Sequence, residues 1–111
     1  MSFPAPDIGL VTTLDLNALL VKRPAATFFM RVAGDRMAGD CIHDGDLLVV
    51  DRSLPPVAGK LVVAALAGEL VVRRIHRVEG QWHLLQPGSA NLEAAQDFEL
   101  WGMVTAIIHT V

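Results

Sequence analysis

The sequence predicts a mainly β fold: a curled antiparallel sheet, or a small barrel-like one, with a single short helix near the N-terminus. Two observations carry this. Short runs rich in β-branched and aromatic residues are separated by clusters of Gly, Pro, Asn and Asp, and only one stretch shows helical spacing. The length adds a bound, because 111 residues with 52% hydrophobic and 19% charged content can bury one core and are too few for two.

Residues 1–13, with Pro4, Pro6 and Gly9 and no sustained period, read as an extended arm on a single domain spanning 14–111. Asp15 stands ahead of Leu16, Leu19 and Leu20, the i, i+3, i+4 spacing of one helix face. Pro24 closes the pattern, which predicts a helix of about two turns. Thr27-Phe28-Phe29-Met30-Arg31-Val32 predicts a strand, and residues 46–51 predict another. Between them Gly34-Asp35 and Asp44-Gly45-Asp46 bracket a turn-rich segment, and Gly34, Gly39 and Gly45 give the backbone its freedom there. The expected product is a tight exposed loop with Arg36 at its apex.

Pro55, Pro56 and Gly59 break the chain before strands at 60–66 and 69–77, joined at Ala67-Gly68 as a hairpin. Val78-Glu79-Gly80-Gln81 turns into a strand at 82–86, residues 87–91 form an irregular connection, and residues 100–111 end in a β-branched strand. Within that strand, Val104-Thr105-Ala106-Ile107-Ile108 is apolar on both alternating faces. This predicts an unpaired apolar edge and a homodimer through it, helped by the arm around Leu14 and by the helix near Asn17 and Leu20. The competing reading places Ile107 and Ile108 on the two sides of one buried strand in a closed barrel.

Charge and cysteine content narrow the function classes. A net charge of -3 gives no whole-domain attraction to nucleic acid or to an anionic membrane. Direct sequence-specific nucleic-acid binding is not expected, and no helix-turn-helix pattern occurs. The longest apolar run, at 61–70, is interrupted by Gly68 and Glu69 and is too short for a membrane span. One cysteine, Cys41, excludes an internal disulfide framework, and the opening Met1-Ser2-Phe3-Pro4 lacks the basic start of a secretory signal, so the cytoplasm is the expected compartment.

Few side chains suggest chemistry by themselves. Cys41 and His43 are a conceivable thiol and imidazole pair, but no third group orients them, and a half-buried free cysteine is the plainer reading. His43, His76, His83 and His109 show no zinc spacing, so neither metal nor cofactor is expected. Arg73, Arg74, His76 and Arg77 cluster on one strand, with Arg73 and Arg77 on one face and Arg74 and His76 on the other. A solvated sheet face explains them, and contact with an anion or an acidic partner is the sharper reading.

Three stretches together carry a family resemblance: Ala33-Gly34-Asp35-Arg36-Met37, then Asp44-Gly45-Asp46-Leu47-Leu48-Val49-Val50-Asp51, then Gly68-Glu69-Leu70-Val71-Val72-Arg73-Arg74. They resemble the carboxy-terminal domain of the UmuD and LexA family of self-cleaving S24-type peptidases, and the UmuD branch most. The likeness extends to Phe3-Pro4-Ala5-Pro6, to Asp15-Leu16-Asn17-Ala18-Leu19-Leu20 and to Trp101-Gly102-Met103-Val104, so it covers nearly the whole chain. In that family the turn reads Gly-Asp-Ser-Met and its serine is the nucleophile, with a lysine on a later strand as general base. By this resemblance Arg36 stands at the nucleophile position, within the turn Gly34, Asp35 and Met37, and Arg73 stands at the base position. A guanidinium has no nucleophilic oxygen, and with a pKa above ~12 it sheds no proton at neutral pH. Neither Ser53 nor Lys60 lies at a dyad position.

The resemblance therefore implies a pseudo-peptidase, resembling the processed form of UmuD because the chain begins just before the Phe-Pro element. It implies a homodimeric accessory subunit of SOS-type translesion synthesis, acting in the DNA-damage response by contact with a Y-family polymerase catalytic subunit and also with the recombinase filament. Two alternatives stand beside it: an active S24-type self-cleaving serine peptidase, and the sensor and dimerisation domain of a LexA-like repressor without its DNA-binding half. Two like charges, Arg36 and Arg73, are expected to lie near each other, with Asp35, Asp40 and Glu69 as counter-charges.

Overall fold

A computed structural model describes residues 15–94 and 97–111, so the arm at 1–13 and Leu14 lie outside the described residues. The chain forms one helix, α1 (Leu16–Leu20), and six strands: β1 (Thr27–Arg31), β2 (Leu47–Asp51), β3 (Leu61–Leu66), β4 (Glu69–Val78), β5 (Gln81–Leu84) and β6 (Phe98–Ile108). The strands make one antiparallel sheet in the order β1-β2-β6-β3-β4-β5. The sheet stays open, with β1 and β5 at its edges, so the barrel-like form is not reached.

Local chemistry accounts for the connections. The Asp15 carboxylate caps α1 by accepting from the amides of Asn17 and Ala18. The helix has five residues and not the two turns its leucine spacing predicts, because Val21 turns extended and none of its residues is fully buried to hold a longer helix. At the β3–β4 and β4–β5 hairpins, Ala67-Gly68 and Glu79-Gly80 all take left-handed φ, the conformation that matches the twist of the flanking strands in a two-residue turn.

β6 is bulged twice. Its register slips by one residue against β2 between Ala106 and Val104, and by one against β3 between Gly102 and Leu100. Between the two slips Gly102 packs directly on β2, where an added Cβ would come within 2.6 Å of a Val50 methyl. Both sheet faces are covered. Val62, Ala64, Leu66, Ile75, Leu84 and Met103 form one apolar cluster, and Met37, Ile42, Leu48, Val50 and Val63 form the other. That double burial is why β2 and β3 read as unbroken apolar runs.

The terminal strand is placed differently from its sequence expectation. β6 is central, pairing with β3 over 98–103 and with β2 over 103–108. Its second half nevertheless keeps one side open, since among the described residues no strand pairs with it beyond Met103 on the β3 side. Ile107 and Ile108 are only partly covered, at 38% and 37% exposure, so they are not the two faces of a fully buried strand.

Candidate functional site

The loop between β1 and β2 is closed by its own polar groups. The Gly34 amide donates to Asp44 Oδ1 at 2.7 Å, and the Asp44 amide donates to Asp35 Oδ1 at 3.2 Å, so the two acidic-glycine brackets hold each other. At the base of the loop, the Val32 amide donates to the Asp46 carbonyl and the Gly45 amide to the Val32 carbonyl, both at 2.8 Å. Met37 turns inward to the core while Arg36 stays exposed at the turn, as its apex position predicts. The far side of the loop rests on Gly88, where Gly39 approaches so closely that a Cβ on it would meet the Gly88 Cα at 2.8 Å.

Buried Asp46 ties the loop to the end of the chain. It accepts from the His43 amide at 2.9 Å and meets His109 Nδ1 at 2.5 Å. The His43 amide and then the His109 ring hold its carboxyl below the usual carboxylate range, against the opposing effect of burial. Asp51 is likewise held low, first by the Ser53 hydroxyl, against burial, and further by the Ser53 amide and Arg23. Ser53 is thus occupied as a donor to a carboxylate.

Arg36 and Arg73 do come together: both line a groove of about 490 Å³, and both line an adjoining cavity of about 380 Å³. The groove runs between the end of β1 with its following loop and the start of β4, over a floor that includes Leu48, Val63 and Met37. Among the described residues, none that lines either space carries a hydroxyl, thiol, imidazole or amine. Their polar chemistry is confined to guanidinium, carboxylate and amide groups.

Arg73 corrects the reading of its strand as a solvated face. It is 6% exposed, and its Nε donates to Glu93 Oε1 at 2.6 Å. Nη1 donates to the Val72 carbonyl at 2.8 Å and lies 3.8 Å from the Met37 sulfur. None of the three carboxylates expected as its counter-charge serves it. Asp40 binds Arg74, Asp35 braces the loop, and Glu69 is exposed on the groove wall. Glu93, which does serve it, comes from the connection before β6, where no periodicity marks a functional residue. Arg77 lies over the Trp82 ring at 4.6 Å, and His76 faces His83 across the β4–β5 ladder.

Cys41 is exposed and not half-buried, because its left-handed backbone (φ 63°) ends a 3-10 turn at the loop surface. No hydrogen bond joins Cys41 to His43 among the described residues; the His43 ring lies beside that of His109, 5.4 Å between centroids. No group of three or more His, Cys, Asp or Glu side chains among the described residues is placed to hold a metal ion. No helix among them is long and apolar enough to cross a membrane.

Residues 4–105 match the family described as Peptidase S24-like. The chain belongs to the Peptidase S24-like family. It is similar to Protein SamA of Salmonella typhimurium, 40% identical over 110 residues that cover 96% of this chain and 77% of SamA. Protein MucA of Escherichia coli is 38% identical over 116 residues, covering 93% of this chain and 74% of MucA. LexA repressor 2 of Pseudomonas syringae pv. tomato is 35% identical over 107 residues, covering 93% of this chain and 52% of that repressor. The open antiparallel sheet with little helix agrees with the fold that this S24 membership implies.

Proposed function

We propose that this chain is a non-cleaving S24 domain that acts as a UmuD-like accessory subunit in SOS mutagenesis, by protein contact in translesion DNA synthesis. The observation that carries the reading is the groove's chemistry. Arg36 and Arg73 line it together at the positions where the resemblance places serine and lysine, and no alternative nucleophile lines it among the described residues. Arg73 is also bound into a pair with Glu93, so it serves as a structural cation. The same absence weighs against an active peptidase. The partner on this reading is a Y-family polymerase catalytic subunit, with the recombinase filament a further contact, in the bacterial cytoplasm.

Intact-mass analysis tests the non-cleaving part. The purified chain, alone and mixed with a UmuD-type substrate, is expected to keep its mass and leave the substrate whole at neutral and at alkaline pH, where a lysine base would be most active. A single specific cut would sink the reading. Co-expression with a Y-family polymerase subunit should give co-purification, and its absence would count against the accessory role.

A homodimer is part of this proposal, through the open side of β6 at 104–108. Backbone that no described strand pairs on that side, beside apolar side chains, invites the same strand of a second copy, which a two-fold axis pairs antiparallel. Ile108→Lys sets a charge in that contact. Sedimentation should find the wild type dimeric and the variant monomeric at micromolar concentration; a folded variant that remains dimeric would place the interface elsewhere.

A further inference from the structure

One wall of the groove is a strand edge. β4 pairs with β3 over 69–74 but with β5 only over 75–78, so residues 69–73 have no strand on their outer side among the described residues. Five consecutive residues, 69–73, line the groove. Side chains of a strand alternate between faces, so an unbroken run borders a cavity only where the backbone itself forms the wall. The Leu85 amide donates to the Arg74 carbonyl at 2.9 Å on that outer side, and by the alternation of an antiparallel ladder Leu70 and Val72 direct their own amides and carbonyls the same way. The Val72 carbonyl is taken by the Arg73 guanidinium. Among the described residues, no strand takes the Val72 amide or either Leu70 group, which leaves them to an incoming chain.

The charge lining the same space is specific in sign. Arg31, Arg36 and Arg73 line the groove against one carboxylate, Glu69, in a chain whose net charge is -3. Arg73 is engaged with Glu93, whereas Arg36 is exposed and has no hydrogen bond or ion pair among the described residues. A free planar guanidinium beside an open strand edge is a bidentate receptor for a carboxylate on an extended peptide. Leu70, half exposed on the wall, and Met30 and Val32 opposite it offer apolar contact to the side chains that alternate with the acidic ones.

We propose that the groove binds an extended peptide of alternating acidic and apolar residues, which adds a strand to β4 at Leu70 and Val72 and sets a carboxylate on Arg36. This deepens the non-cleaving reading and rests on it: a groove without a nucleophile holds a segment of its partner and releases it uncut.

The test is fluorescence anisotropy with a labelled peptide of alternating aspartate and valine, against the same peptide with lysine in place of aspartate. The acidic peptide should bind at least about tenfold more tightly, and Arg36→Gln should remove about tenfold of that affinity, the scale of a charge-assisted hydrogen bond, with no change in the unfolding midpoint. Leu70→Pro deletes an outward amide without touching the β3 ladder and should weaken binding as well. Should that variant fail to fold, amide chemical shifts of the wild-type chain read the same contact, and the acidic peptide is expected to move Leu70, Val72 and Arg36. Equal affinity for the two peptides, or shifts confined to another face, would overturn the proposal. The peptide's mass separates the two claims: an intact peptide that does not bind ends this inference and leaves the non-cleaving reading, and a bound peptide that is cut ends the non-cleaving reading.

Discussion

Arg36→Ser combined with Arg73→Lys is expected to leave the chain nearly inert until Glu93→Leu is added. The two substitutions return a hydroxyl and an amine to the groove, but the position of Arg73 is one that Glu93 reaches at 2.6 Å. A carboxylate that close favours the protonated form of an introduced lysine, raising its pKa by roughly one to three units, and each unit removes about a factor of ten from the free base at neutral pH. Without Glu93 the same burial acts alone and pushes the amine toward its neutral form, as a general base requires. The triple variant should therefore cut a UmuD-type substrate about a hundredfold faster than the double at neutral pH, and its rate should level off at lower pH. Either single substitution should give no cut, because each supplies only half of the chemistry. Intact-mass time courses across pH decide this. A double variant as fast as the triple would mean that Glu93 does not control the base, and a folded but inert triple would overturn the assignment of positions 36 and 73 to the dyad's places.

That prediction depends on a residue the sequence did not reveal, and the reason is general. The first four strands were legible almost to the residue, because Leu47–Asp51 and Leu61–Leu66 are covered on both faces and so cannot carry the polar alternation of a half-exposed sheet, whereas β5 and β6 begin and end one to three residues from their expected bounds. The hairpins were legible because Ala67-Gly68 and Glu79-Gly80 leave few other turns open. The loop was legible because Asp35 and Asp44, each next to a glycine, could brace one another. Strand order was not, since nothing within 98–108 says that β6 will lie between β2 and β3. The charge state of a strand face was equally hidden: Arg73 and Arg77 share a face, yet a connection without periodicity covers the first and leaves the second on a tryptophan ring. Local pattern reports which side chains share a face and not which other segment arrives to cover it.

The pair itself should show in stability. Glu93→Ala is expected to destabilise the fold by about 3 kcal/mol, because it strands a guanidinium that is almost fully buried, and losing one partner of a buried pair leaves the desolvation of the other uncompensated. The lower end of that effect is appropriate, since the Glu93 side chain is 18% exposed and water can reach the vacated place. Arg73→Met made together with Glu93→Leu removes both charges and keeps similar volume, so it should fall within about 1 kcal/mol of the wild type or exceed it. Urea unfolding midpoints read both. The contrast matters more than either value, because a costly single change beside a nearly neutral double one is the signature of a buried pair whose geometry is satisfied but whose net contribution is small. If Glu93→Ala instead costs less than about 1 kcal/mol, the pair behaves like an exposed one. Arg73 would then be free to swing into the groove beside Arg36, and the groove would present two receptors for carboxylates where one is proposed.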